Sequence, residues 1–557
     1  MTSRSTWPCA SDTPWGRAVQ RTTSSASACA WFTRGLLWAY AFNHEEAVTC
    51  FEHAIEADPE CALAHWGLAY ALGPNYNKPW EAFGPAEAAS SVSRAFGAAA
   101  AAAQRAGGAT PVERALVQAL ASRYPSARPA EDCSPWNARY ADAMREVYRS
   151  HPGDLDVAAL FADALMNLTP WALWDQATGR PTEGAATLEA KAVLERALAT
   201  DRGRSHPGIL HLYIHLMEMS PRPEDALAVG ELLRDLVPDA GHLRHMPTHL
   251  DVLCGDYRRV VSANTAAIAA DEKFRARRGT MNFYTLYRAH NYHFKIYGAM
   301  FLGQARTALE TADQLAVAIP EELLRVENPP MADWLEGFVP MKMHALIRFG
   351  RWQDIIAVPM PRDQALYCVT TAMMHYAKGV AQAVSGHIGE AAEHRRRFAA
   401  AVAQVPQSRT VFNNTCQDIL TVAEAMLDGE LEYRKGNFEV AFAHLRRAVE
   451  LDDGLPYDEP WGWMQPARHA YGALLLEQGR VAEAEAVYRA DLGLDDTLAR
   501  ACQHPGNVWS LYGYHECLTR LGKREAAGII GQQLKIAAAC ADVPISSSCY
   551  CRRGSSR

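Results

Sequence analysis

Histidine is the commonest transition-metal ligand among side chains, and two imidazoles four residues apart on a helix reach one ion from the same face. The stretch His206-Pro207-Gly208-Ile209-Leu210-His211-Leu212-Tyr213-Ile214-His215-Leu216-Met217-Glu218 holds such a pair, His211 and His215, with Glu218 continuing the stripe. A second pair, His245 and His249, lies in His242-Leu243-Arg244-His245-Met246-Pro247-Thr248-His249. Each of its members follows its counterpart by 34 residues, the length of a two-helix repeat, so both pairs are expected at matched places in successive repeats. One helix supplies only two imidazoles; two in register supply four. The expected metal ligands are therefore His211, His215, His245 and His249, with Glu218 as a further ligand or the general base.

The donors leave the metal open. Two histidines and a carboxylate suit non-haem iron, and three or four histidines suit zinc or copper. Pro247 complicates the second pair, because proline is comfortable only in the first turn of a helix and so places His245 at a helix entry.

These residues need elements to aim them. From Ala28 the apolar spacing becomes helical, and Trp31, Gly35, Ala47, Phe51, Ala54 and Pro59 fall on the small, large and turn positions by which tetratricopeptide repeats interlock. Numbered from those anchors, His211, His245, His293 and His469 take the fifth position of their repeats, His293 being anchored by Ala308 and Pro320, and His469 by Gly472, Ala484 and Tyr488. The resemblance to tetratricopeptide proteins implies that the fifth, ninth and twelfth positions line the concave face. His215 and His249 are then ninth-position residues and Glu218 a twelfth-position one. On that footing His293 and His469 are expected as further ligands or proton carriers.

The rest of the chain reads as all-α, with few runs of period two. Helices are expected over 87–107, 112–122, 135–150 and 154–168, and further repeats over 336–360, 372–406, 417–453, 465–496 and 507–540. Turn formers and aromatics mark insertions near 73–84 and 168–184. The expected architecture is a right-handed helical-repeat solenoid over 29–540, after a loose lead-in at 1–28 and before a tail at 541–557 carrying Cys549-x-Cys551. A repeat array can reach 557 residues because each unit packs only on its neighbours. The apolar and cysteine content of Val543 to Cys551 predicts a tail packed on the body.

A net charge of -8 gives no basic footprint for a phosphate backbone, so nucleic acid is an unexpected partner. No apolar run approaches the ~18–20 residues of a membrane span. Thirteen cysteines, an odd number placed mostly singly in apolar helical patterns, suit a reducing compartment and a cytoplasmic protein.

His65-Trp66-Gly67, His-Pro-Gly-x-x-His-x-Tyr-Ile-His-x-x-Glu at 206–218, His-Met-Pro-Thr-His at 245–249 and the tail Ser-Cys-Tyr-Cys together resemble a family of stand-alone tetratricopeptide proteins of bacteria and fungi. Thr33 departs from the acidic residue expected before Arg34-Gly35. The resemblance implies the helical scaffold and no particular reaction. The residues themselves point to a metal-dependent enzyme acting on a small molecule, an O2-using oxidoreductase ahead of a hydrolase because aromatic loops and an imidazole lining favour redox metals. The alternative is a module that binds a peptide or protein in its groove. That reading predicts Lys, Arg and Asn at the concave positions, where His and Glu stand.

Overall fold

The computed structural model describes residue 23 and residues 25–552; of the lead-in expected at 1–28, residues 1–22 and 24 lie outside it. Helices follow one another with short turns, and most pack on the next in sequence. The described residues form two compact units. The first takes in the chain to Asp175, Arg180–Met217 and Ala228–Met246; the second takes in Gln176–Gly179, Glu218–Leu227 and the chain from Pro247.

In the first unit Ala26–Tyr40 and His44–Ala57 make the opening pair, and Ala62–Ala71 stacks on it. Ser25 and Asn43 cap the two helices by accepting from the backbone N–H of Ala28 and Glu46, which satisfies donors that have no carbonyl within the helix. The Phe51 ring explains the consensus glycines. A Cβ at Gly35 would sit 2.7 Å from that ring and one at Gly67 closer still, so bulk at 51 requires its absence at both. The expected helices appear as Pro85–Arg105, Pro111–Ala121, Ser134–Ser150 and Leu155–Met166. The first insertion turns through an Asn75–Lys78 bridge and a single 3-10 turn, Trp80–Ala82. The second forms a hairpin that pairs Trp174 with Pro181 and Asp175 with Arg180.

In the second unit the expected later repeats appear as the pairs Cys368–Val384 with Ile388–Val402, Cys416–Arg434 with Phe438–Asp453, Ala467–Glu477 with Val481–Asp491, and Val508–Arg520 with Arg524–Ala538. Tyr488 repeats the Phe51 device: a Cβ at Gly472 would meet its ring at 2.5 Å, and Gly513 lies against the same ring. The fold is therefore all-α and of the tetratricopeptide helical-repeat type.

The tail packs as its composition predicts. Asp542 accepts from the N–H groups of Ala305 (2.6 Å) and Arg306 (3.0 Å), capping the helix Ala305–Ala318. Ser548 donates to the His469 carbonyl at 2.8 Å, and its hydroxyl lies 2.5 Å from that of Tyr488. Cys549 and Cys551 are buried and joined to each other as a disulfide. Among the described residues no helix is long and apolar enough to cross a membrane.

Candidate metal centre

The His-Pro-Gly run builds the start of the helix Pro207–Glu218. His206 Nδ1 accepts from the Ile209 N–H at 3.2 Å, so its other nitrogen carries the proton and donates to Asp156 at 3.1 Å. The Tyr40 hydroxyl donates to the same Asp156 oxygen at 2.5 Å. Burial pushes the Asp156 carboxyl up, but the hydrogen bonds from His206 and Tyr40 outweigh it and hold the group below the usual range. Gly208 brings Tyr40 close, since a Cβ there would stand 2.7 Å from its ring. The Tyr40 carbonyl then accepts from His211 Nδ1 at 2.6 Å.

That bond fixes the neutral tautomer of His211 and leaves the Nε2 lone pair as its ligand atom, as backbone carbonyls do behind metal-bound histidines. Nε2 faces His242 Nε2 at 3.1 Å. The His215 ring centroid lies 4.7 Å from that of His211 and 6.1 Å from that of His242. Ligand atoms of the three imidazoles all fall within 4.8 Å of one another, and none of the side chains is more than 1% exposed. Bonds of ~2.0–2.1 Å to one ion put bound nitrogens roughly 3–4 Å apart, so small ring rotations complete a three-nitrogen site.

Aromatic rings wall this cluster. Phe42 lies 4.5 Å from His211 and 5.6 Å from His215; Tyr76 and Trp171 lie 5.1 and 5.8 Å from His215. Phe42 and Trp171 have φ of 55° and 58°, a left-handed conformation that costs a non-glycine residue about 1–2 kcal/mol. Among the described non-glycine residues only Phe412 shares a positive φ. Strain held at two walls of one cluster points to a site whose shape the surrounding fold enforces.

The structure brings His211 and His215 together but completes the group with His242. His245 ends the helix Gly241–His245 and His249 lies in the next, Pro247–Leu253, which Pro247 opens as its chemistry predicts. The proline that moves His245 to a helix end also makes His242 and His245, three apart, the pair that shares a helix, and this was the signal for the missed His242. The buried His245 ring lies 6.0 Å from His242.

The other expected residues have different company. His249 Nδ1 sits 2.8 Å from Glu218 and 2.6 Å from Glu459, a residue that sequence spacing did not select. Burial pushes His249 down, but the two carboxylates overcome it and raise the imidazole to about 10. His293 Nε2 lies 2.7 Å from Met464 Sδ; burial, helped by nearby His344, pushes it down to about 3. His469 is held between Arg348 Nη1 at 2.7 Å and Asp491 at 3.1 Å; burial outweighs the carboxylate and pushes it down to about 4.

Residues 28–61 match the tetratricopeptide repeat model. The match covers the opening helix pair, where Phe51 packs on Gly35. No curated protein matches the sequence. Solved structures similar to the chain include yeast Tom70, at 11% identity over 91% of this chain and 99% of that one with a TM-score of 0.30. Another is the Cut9-Hcn1 hetero-tetramer of the APC/C, at 11% identity over 95% and 96% with a TM-score of 0.26. TM-scores this low say nothing of function.

Proposed function

We propose that this repeat protein binds a transition metal, copper, iron or zinc, on His211, His215 and His242, and that a small molecule reacts there. The convergence of three buried imidazoles, with the His211 tautomer set by the Tyr40 carbonyl, carries the proposal. Three nitrogen donors leave a coordination position for water or substrate, the pattern of catalytic rather than closed structural sites. The aromatic walls and the all-imidazole donor set favour a redox ion and an O2-using oxidoreductase over a hydrolase. Cysteines placed mostly singly in apolar helical patterns suit a reducing, cytoplasmic setting.

Metal analysis of protein purified without a histidine tag tests the site. Near-stoichiometric metal is expected in the wild type and in His245→Ala, and a loss of most of it in His211→Ala, His215→Ala and His242→Ala. Full metal content in the His242→Ala protein would discard the three-histidine site.

A second reading is a scaffold that binds a protein or peptide partner. The repeat match supports it more directly than it supports any reaction, because stacked helix pairs present extended binding surfaces. Cross-linking of the native protein followed by mass spectrometry should return one recurrent partner whose cross-links survive His211→Ala; none would leave the metal reading alone.

A further inference from the structure

The group around His249 has a donor chemistry of its own. Glu218 ends the helix Pro207–Glu218, His249 stands in the first turn of Pro247–Leu253, and Glu459 comes from the stretch between Gly454 and Pro466 that joins two helices. All three side chains are at most 3% exposed. One imidazole nitrogen and two carboxylate oxygens lie within 4.8 Å of one another.

The loop carrying Glu459 is anchored. Tyr457 donates its hydroxyl to Glu459 Oε1, which leaves Oε2 to face His249. The Glu459 N–H donates to Asp458 at 3.0 Å, Asp458 accepts from Asn414 at 3.2 Å, and Trp461 donates to the Asp452 carbonyl at 2.9 Å. A carboxylate held by a hydroxyl on one oxygen and aimed with the other is the arrangement that pre-orients a metal ligand.

Charge decides what the group wants. Two carboxylates brought together away from water are costly as charges unless a proton or a cation is shared between them, and burial with the facing Glu218 pushes the Glu459 carboxyl up to about 8. A divalent ion with a neutral imidazole brings the same three groups to zero. Oxygen donors suit manganese and magnesium, and the added imidazole suits first-row ions, so the mixed set suits Mn2+ or Fe2+ better than the all-imidazole centre does.

We propose that Glu218, His249 and Glu459 form a second metal site, for a divalent ion of the Mn2+ or Fe2+ class. Its ligands share no residue with the His211, His215 and His242 centre, so it stands or falls independently of that centre. Three protein donors leave several positions on a six-coordinate ion for water or a ligand.

Titration of the metal-depleted full chain with Mn2+, read by the electron paramagnetic resonance of the free ion, tests it. One saturable Mn2+ per chain is expected, with affinity unchanged in His211→Ala and weakened more than about tenfold in Glu459→Gln. Pulsed measurements on the bound ion should show modulation from one imidazole nitrogen, in the wild type and in His211→Ala alike; this readout holds even if Glu459→Gln fails to fold. Absence of saturable Mn2+ binding, or a nitrogen signal lost with His211→Ala, would overturn the proposal and leave the cluster as a buried ion pair.

Discussion

His211 and His469 hold the same place in their repeats by sequence register, and both are buried, yet their surroundings set them to different work. His211 donates one nitrogen to the Tyr40 carbonyl and turns the other toward His242. His469 accepts from Arg348 on one nitrogen and donates to Asp491 from the other, so its neutral form is satisfied within the protein. A proton added at Nδ1 would point at a guanidinium, which agrees with a pKa near 4. Asp491 also accepts from His504 (2.9 Å), Asn507 (3.1 Å) and Ser510 (2.6 Å), and the His469 carbonyl receives Ser548 from the tail. Repeat position aims a side chain; the groups that meet it decide whether it serves as a ligand or a strut.

The largest effect should come from cutting the strut. Asp491→Ala strands four buried donors and is expected to cost about 3–5 kcal/mol in denaturant unfolding while leaving metal per folded chain unchanged. A cost below about 1 kcal/mol would erase the contrast between the two histidines.

Acid should come next. His293 and His344 are both pushed down to about 3 by burial, from an ordinary 6.5. As pH falls below about 6.5 the unfolded chain takes up protons that the folded chain refuses, so their contribution is full above that pH and is lost toward pH 3. The loss is about 2 kcal/mol per ring by pH 5. Denaturant midpoints across pH should show it, with a shallower slope in His293→Met; equal slopes would place His293 in contact with water.

Gly208→Ala probes the other member of the comparison. The added methyl must displace the Tyr40 ring, so a stability loss of about 1–3 kcal/mol should be accompanied by weaker metal retention through His211. Loss of stability with metal retention intact would mean that the Tyr40 carbonyl does not orient the ligand. The smallest effect is expected from Ser548→Ala, about 1 kcal/mol for the hydrogen bonds joining the tail to His469 and Tyr488, with no change at the metal. Urea melts and metal analysis on one preparation would check both.

The sequence by itself determined the repeat and its packing. Phe51 with Gly35 and Gly67, and Tyr488 with Gly472 and Gly513, are local choices of bulk and its absence at fixed spacing, and helical period carries them directly. His211 and His215 were equally plain, because four residues on one unbroken helix fix their common face. Pro247, which lacks a backbone donor, was an equally plain sign that the helix holding His245 stops and another starts before His249. Only the tertiary structure could bring His242 to His211, Tyr40 behind it, or Glu459 to His249 across 210 residues of chain. Helical period relates a residue to its own turn and the next. Which imidazole meets another imidazole, and which meets a carboxylate, is settled by how far-separated helices and loops pack, and a buried histidine takes its chemistry from that contact.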